Sequence, residues 1–309
     1  MLASGKVEES LEYFCFFEKT AASVPPFNEL KNFTAHSTAL FITGNYSLAL
    51  NTAQEGRLRA GAAECHEWEL LLGFIEVRVL FELGKYGEAV QRMEQCLCIA
   101  GLYYFTEAGE LLYRWLGRCY GFLGQMERAV ELLGKLEQSA ERDLFTAEAF
   151  FLGGERLQAL VIMERITLME KEPDFYPLEH IRWLSGFEVV EGRCFMFLQG
   201  RNLFNRLVTS FRAFLRGAEG IEELYQITRG EKISSLDPYL SRYHFFYSLT
   251  LPEENRRGID DRLTVLNKAL MLVQQRAARI ENPQDRWQYL HRNYWNRELL
   301  KAAELKKLI

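Results

Sequence analysis

Gly84-Lys-Tyr86-Gly-Glu-Ala89-Val90 decides the fold, because it returns. Gly44-Asn-Tyr46-Ser-Leu-Ala49-Leu50 lies 40 residues earlier and Gly124-Gln-Met126-Glu-Arg-Ala129-Val130 lies 40 residues later. Each reads Gly, any residue, a large apolar residue, two variable residues, Ala and an aliphatic. Gly154-Glu-Arg156-Leu-Gln-Ala159-Leu160 is a fourth copy, 30 residues on, with Arg156 in the large apolar place. A fifth, degenerate copy surrounds Gly200. Recurrence of a whole string at a fixed interval marks a repeat architecture.

Working outward, each copy is preceded by a helix-period stretch, such as Trp68 to Leu83 or Leu111 to Leu123. Another follows it, Ala89 to Leu97 or Ala129 to Leu136. The unit is therefore a helix, a tight turn and a second helix. Gly suits the positive φ at the end of the first helix, and the small Ala lets the second helix approach closely. The expected fold class is all-α: an α-α superhelix of about seven antiparallel helix pairs, forming one domain over 1–309. Its repeats are clearest over 30–170 and divergent over 171–250, with a helix pair and cap over 257–309. Pro25-Pro26 is expected to end a first helix whose apolar side includes Tyr13, Phe14, Phe16 and Phe17. Asp237-Pro238 reads as a cap and helix start, and 215–237, with Gly217, Gly220, Gly230, Ser234 and Ser235, as an irregular connection.

Composition agrees with a folded chain. Of 309 residues, 48% are hydrophobic and 26% charged, ordinary for a globular protein, while seven Pro and 22 Gly leave little of the punctuation that strands need. Aromatics make up 13%, ring area that must be buried or used in contacts. The net charge of −5 offers no global field for a phosphate backbone, so nucleic acid is not an expected partner. One local exception is 276–309, where eight Lys/Arg stand against four Asp/Glu, as a solvated helical face does.

Cys15, Cys65, Cys96, Cys98, Cys119 and Cys194 fall in apolar, helix-like stretches without disulfide spacing and are expected to be reduced core thiols of a cytoplasmic protein. Cys96-Leu-Cys98 lacks the further ligands of a four-coordinate metal site, and His66 beside Cys65 adds little. Acids stand near the N-terminus where a signal peptide needs bases, and no run of about 18 apolar residues occurs, so no membrane partner is expected. The abrupt start suits a fragment of a longer chain.

The repeat resembles the tetratricopeptide family, whose second half reads Gly, any, Tyr, two residues, Ala. Leu80 and Tyr120 fall at the family's first-helix Tyr position, and Leu116-Gly117 on its Leu-Gly pair. The interval exceeds the family's usual length, and its Trp and terminal Pro are mostly missing. Longer units of this kind are similar to those in the C-terminal helical regions of large bacterial signal-transducing ATPases and cyclases. A terminal string supports that likeness: Ile280, Asn282-Pro283, Arg286, Tyr289-Leu290 and Asn296, with Asn282 in the place of that group's Asp and Tyr289 in that of its Phe. Read bottom-up, Asn282 is a fit N-cap, Pro283 the first helical residue and Asp285 a first-turn acid, a capped helix expected to cover the solenoid's open end.

Among motifs with chemistry, no phosphate loop, Gly-x-Ser-x-Gly elbow, His-Glu-x-x-His pair or dinucleotide fingerprint is present, and the five His are scattered. No catalysis and no cofactor are expected. The resemblance instead implies a concave face lined by first-helix positions six and three residues before each turn Gly. The first column is Thr38, Arg78, Arg118 and Glu148, and the second Phe41, Phe81, Gly121 and Phe151. Two Arg at equivalent places would hold a carboxylate or phosphate in bidentate fashion beside aromatic rings. The expected peptide- or ligand-binding residues are thus Thr38, Phe41, Arg78, Phe81, Arg118 and Phe151. A structural reading competes: Arg78 is placed to pair with Glu82, Arg118 to lay its stem over apolar surface, and the rings to be core.

The function expected is a non-catalytic protein-interaction scaffold that takes a peptide or partner protein in its concave groove. The alternative is a ligand-sensing regulatory module of a larger signalling or transcriptional ATPase, with a small anionic effector. A peptide groove stays open along several repeats, whereas an effector site is closed. The Arg column further predicts that Arg78→Ala with Arg118→Ala weakens binding and leaves thermal stability nearly unchanged.

Overall fold

The structure, a computed structural model, describes residues 26–166, 200–229, 237–252 and 261–309. Among these residues every regular element is a helix: α1 Pro26–Thr43, α2 Tyr46–Ala62, α3 His66–Glu82, α4 Tyr86–Leu102, α5 Thr106–Phe122, α6 Met126–Gly134, α7 Ala140–Leu152 and α8 Arg156–Arg165. After the next described stretch begins come α9 Gly200–Arg216, a 3-10 turn Gly217–Gly220, α10 Ile221–Arg229, α11 Leu240–Thr250, α12 Arg262–Ala278, α13 Pro283–His291 and α14 Tyr294–Leu305. Helices adjacent in sequence pack on one another, giving an all-α stack of successive helix pairs.

The turn glycines do what the repeat predicts. Gly44, Gly84, Gly124 and Gly154 all have positive φ, between 74° and 90°. In the second repeat the Gly84 N–H donates to Phe81 O at 3.0 Å and the Lys85 N–H to Leu80 O at 2.9 Å, and the other three turns repeat this pair of bonds. These bonds satisfy last-turn carbonyls that would otherwise lack donors. The turns between repeats use the same device without glycine: Glu64 and Tyr104 adopt φ of 55° and 59°.

The 40-residue interval follows from helix length. Helices α2 to α5 have 17 residues each, so a pair plus two three-residue turns fills the period. The shortened third interval reflects α6, of nine residues, and α7, of thirteen. Ala49, Ala89, Ala129 and Ala159 are fully buried, the close approach their size permits. Arg156 departs from the pattern because it serves the next element: its guanidinium donates to Phe214 O at 2.7 Å and Leu215 O at 3.0 Å, occupying last-turn carbonyls of α9.

First and second helices differ in burial. Helix α4 buries only Tyr86, Ala89, Met93, Cys96 and Ala100, a stripe at helical spacing, as an outer helix should. Helix α3 is buried without a break from Leu70 to Glu82, and α11 from Arg242 to Ser248. A helix buried all round has protein on every side, so its inner face is not open to solvent.

Part of that surround, at the turn edge, is the C-terminal end. Asn282 caps α13, accepting from the Gln284 N–H at 2.8 Å, with Pro283 at the first position as the string predicts. The pair α13/α14, however, docks against the turn edge of the first two repeats as well as closing the last. Just before the pair, Arg279 at the end of α12 donates to Thr43 O at 2.8 Å; within it, Asn293 Nδ2 donates to Glu82 O at 2.9 Å and the Tyr294 N–H to the Tyr86 hydroxyl at 2.9 Å. Lys85 pairs with Asp285 at 2.7 Å. A Cβ on Gly84 would lie 2.3 Å from the Asn293 nitrogen, so this turn needs glycine for its φ and for the approach of α14.

Two further expectations are corrected. The supposedly irregular 215–237 contains α10, an amphipathic helix with Glu222 and Glu223 in its first turn. Cys98 is exposed, whereas Cys96 and Cys119 are buried; the described cysteines are all free thiols. Cys15, Cys194 and the aromatic run Tyr13 to Phe17 lie outside the described residues. Gly200 opens α9, and the residues before it lie outside the described residues too. No helix among the described residues is long and apolar enough to cross a membrane.

Candidate ligand site in the closed interior

Each expected site residue on α1, α3 and α5 is buried: Thr38, Phe41, Arg78, Phe81 and Arg118 are all no more than 6% exposed. Phe151 on α7 is partly buried and stacks on Trp295 of α14, with ring centroids 5.6 Å apart. The residues expected to line an open groove are thus buried instead: Arg78, Phe81 and Arg118 among rings of neighbouring repeats, and Phe151 against Trp295 of α14.

The columns do converge. Arg78 lies over the rings of Trp115 and Phe41, at 4.3 Å and 5.5 Å from their centroids. Arg118 sits among Phe81, Trp115, Phe122 and Phe145. Its guanidinium donates to Glu148 twice, from Nε at 2.7 Å and Nη2 at 3.0 Å. Arg118 and Glu148 are neighbouring members of one column, so the repeat register supplies the pair. Burial, the largest single influence, pulls the Arg118 pKa down, but Glu148, Tyr239 and Glu82 more than offset it and the net shift is upward. Glu82, which the structural reading paired with Arg78, makes no ion pair among the described residues, and its Oε1 is buried without a hydrogen-bond partner.

Reading the columns alone missed Trp115, Arg242 and Trp295. Trp115 stands three residues before Arg118 on the same face of α5, so helical spacing could have found it. Arg242 lies on α11, which lacks a terminal Gly to mark the register, although the run Tyr239 to Tyr247 is apolar enough to signal a helix buried all round. Arg242 reaches Glu148 from the far side, with Nη1 3.8 Å from Oε1, and lies over Tyr239 and Trp295. Below this cluster the Tyr46 hydroxyl accepts from Arg276 at 2.9 Å, and burial pushes the Tyr289 hydroxyl up to about 12.

Donors outnumber acceptors here. Arg242 Nε and Nη1, Trp115 Nε1 and Trp295 Nε1 are buried and donate to nothing among the described residues, against two buried groups able to accept, Glu82 Oε1 and the Tyr243 hydroxyl. A pocket of about 80 Å³ opens beside the start of α11, lined by Asp237, Leu240, Ser241, Gln275, Arg276 and Arg279 among others. Asp237 itself is engaged by Arg206 at 3.0 Å and accepts from the Tyr239 N–H. No cluster of three or more His, Cys, Asp or Glu placed to hold a metal occurs among the described residues.

Comparison with known families finds a match at the C-terminal end. The family model TP_0123_C, described as a C-terminal domain, matches residues 197–307, roughly the last third of the chain, from just before α9 through α14. No curated protein matches the chain.

Proposed function

We propose that this chain is a non-catalytic, ligand-sensing regulatory module in which a small effector binds the interior enclosed by the repeats and the C-terminal helices. The observation that supports this reading is the burial of the first-helix columns together with the docking of α13 and α14 on the repeat turns through Asn293, Tyr294 and Asp285. A peptide groove needs an inner face open along several repeats, and here Phe41, Phe81 and Arg118 are buried. A small effector needs the opposite, a dry enclosure with a few converging polar groups. Because the terminal pair touches both ends of the stack, a ligand between them has differential contact with docked and undocked arrangements, which is what a population shift requires.

The scaffold reading keeps one supporting feature. Helix α14 lies on the repeats much as a partner helix would lie in a groove, so a partner could compete for that place once α14 leaves. The two readings separate in a thermal-shift assay against a cell extract divided by ultrafiltration. A ligand that binds only the folded state at a hundred times its dissociation constant adds about 2.7 kcal/mol. Stabilisation by the metabolite fraction supports sensing; stabilisation by the macromolecular fraction alone supports the scaffold and overturns sensing.

A further inference from the structure

We infer that the interior holds a binding site for a small oxyanion, a carboxylate or phosphate, received by Arg242 together with the indole N–H groups of Trp115 and Trp295. This rests on the ligand-sensing reading and names the ligand's chemistry. The first support is a mismatch of hydrogen-bonding capacity. Arg242 is 6% exposed, and two of its nitrogens, Nε and Nη1, have no acceptor. Buried donors are nearly always satisfied, and a guanidinium left without acceptors is the costlier case because it carries charge.

The neighbouring carboxylate does not answer the need. Glu148 is committed to Arg118 by two short bonds, and Arg242 Nη1 stands 3.8 Å from it, in Coulombic reach but beyond a hydrogen bond. The second support is the identity of the other unpaired groups. The indole N–H of Trp115, whose ring underlies Arg78 and Arg118, and that of Trp295, whose ring underlies Arg242, can only donate. Three donor side chains from α5, α11 and α14 thus sit in one aromatic cluster beside the Arg118–Glu148 pair, and the group that suits them has acceptors only and negative charge. An ionised carboxylate or phosphate is such a group, with bidentate geometry to match a guanidinium.

The third support is position. α14 brings Trp295 to this cluster, against Phe151 and Arg242, so an oxyanion there touches both the repeats and the closing helix.

The test is a thermal-shift titration of the full chain with inorganic phosphate and, separately, with succinate, at ionic strength held constant with chloride. Saturable stabilisation by either oxyanion and none by chloride is the expected result. Arg242→Gln should weaken the apparent affinity about tenfold or more, the loss of one charge-assisted contact. Trp295→Phe, which keeps a ring and removes the N–H, guards against Arg242→Gln failing to fold and should also weaken binding. No saturable effect of either oxyanion, or equal affinity in the folded variants, overturns the inference. If the metabolite fraction stabilises wild type and Arg242→Gln alike, the oxyanion site falls and ligand sensing stands; if neither that fraction nor the oxyanions stabilise, both fall.

Discussion

Arg118 and Glu148, thirty residues apart and each six residues before a turn glycine, form a buried ion pair joined by hydrogen bonds of 2.7 and 3.0 Å. A repeat that places side chains at equivalent points has here placed opposite charges at neighbouring points. The pair is enclosed by rings from three helices, so its two members depend on each other.

Removing one partner leaves the other charged and buried. Arg118→Met is expected to cost about 3–5 kcal/mol, and Arg118→Met with Glu148→Leu to recover most of it, because replacing a whole buried pair is often neutral. Urea unfolding of the two single variants and the double variant checks this. For the same reason Arg78→Ala with Arg118→Ala is now expected to melt well below the wild type, contrary to the near-constant stability that an exposed column implied.

The turn glycines should respond unequally to one substitution. Gly84 and Gly124 have φ of 74° and 78°, so Ala strains both backbones alike, by about 1–2 kcal/mol. A Cβ at Gly124 meets nothing within 4 Å, while one at Gly84 meets Asn293 and Arg292 backbone below 2.5 Å. Gly84→Ala is expected to destabilise well beyond Gly124→Ala and to release α14. Melting temperatures of the two variants, with hydrogen exchange of peptides from 294–305 following the release of α14, measure the difference.

Thiol reactivity should follow burial. The thiolate is the reactive form, and burial pushes the Cys119 and Cys96 thiols up to about 12, whereas Cys98 is exposed. With iodoacetamide at pH 8, peptide mass spectrometry is expected to find Cys98 modified within minutes and Cys96 and Cys119 protected until the chain unfolds. Equal modification of Cys98 and Cys119 in the native protein would contradict this packing.

The fold was legible because its instructions are local. A glycine in a left-handed turn, an alanine one turn into the next helix and the Asn282-Pro283 cap each act within a few residues, and all appear where the string put them. The residues of the columns were also legible, since register fixes which positions share a face. Their surroundings were not: nothing local in Phe41 or Arg118 says that the chain's end, more than 150 residues on, returns to cover them. Arg156 shows the same limit from the other side, a break in the motif whose partner carbonyls lie on α9. Burial from both sides left one trace in the sequence: apolar residues fall on every side of α3 and α11, interrupted by a few charged ones such as Glu76, Arg78 and Arg242.

The central claim is that the terminal helix pair closes the inner face of the repeats. Hydrogen exchange of the native chain, followed by mass spectrometry, tests it most directly by comparing peptides from 283–305 with those from 70–82. Docked through Asn293, Tyr294 and Trp295, the terminal pair is expected to exchange about as slowly as α3, since amides in cooperatively packed helices open with the unit they belong to. Exchange of 283–305 within seconds while 70–82 stays protected would contradict the account: the inner face would then be open, and the columns would line a groove.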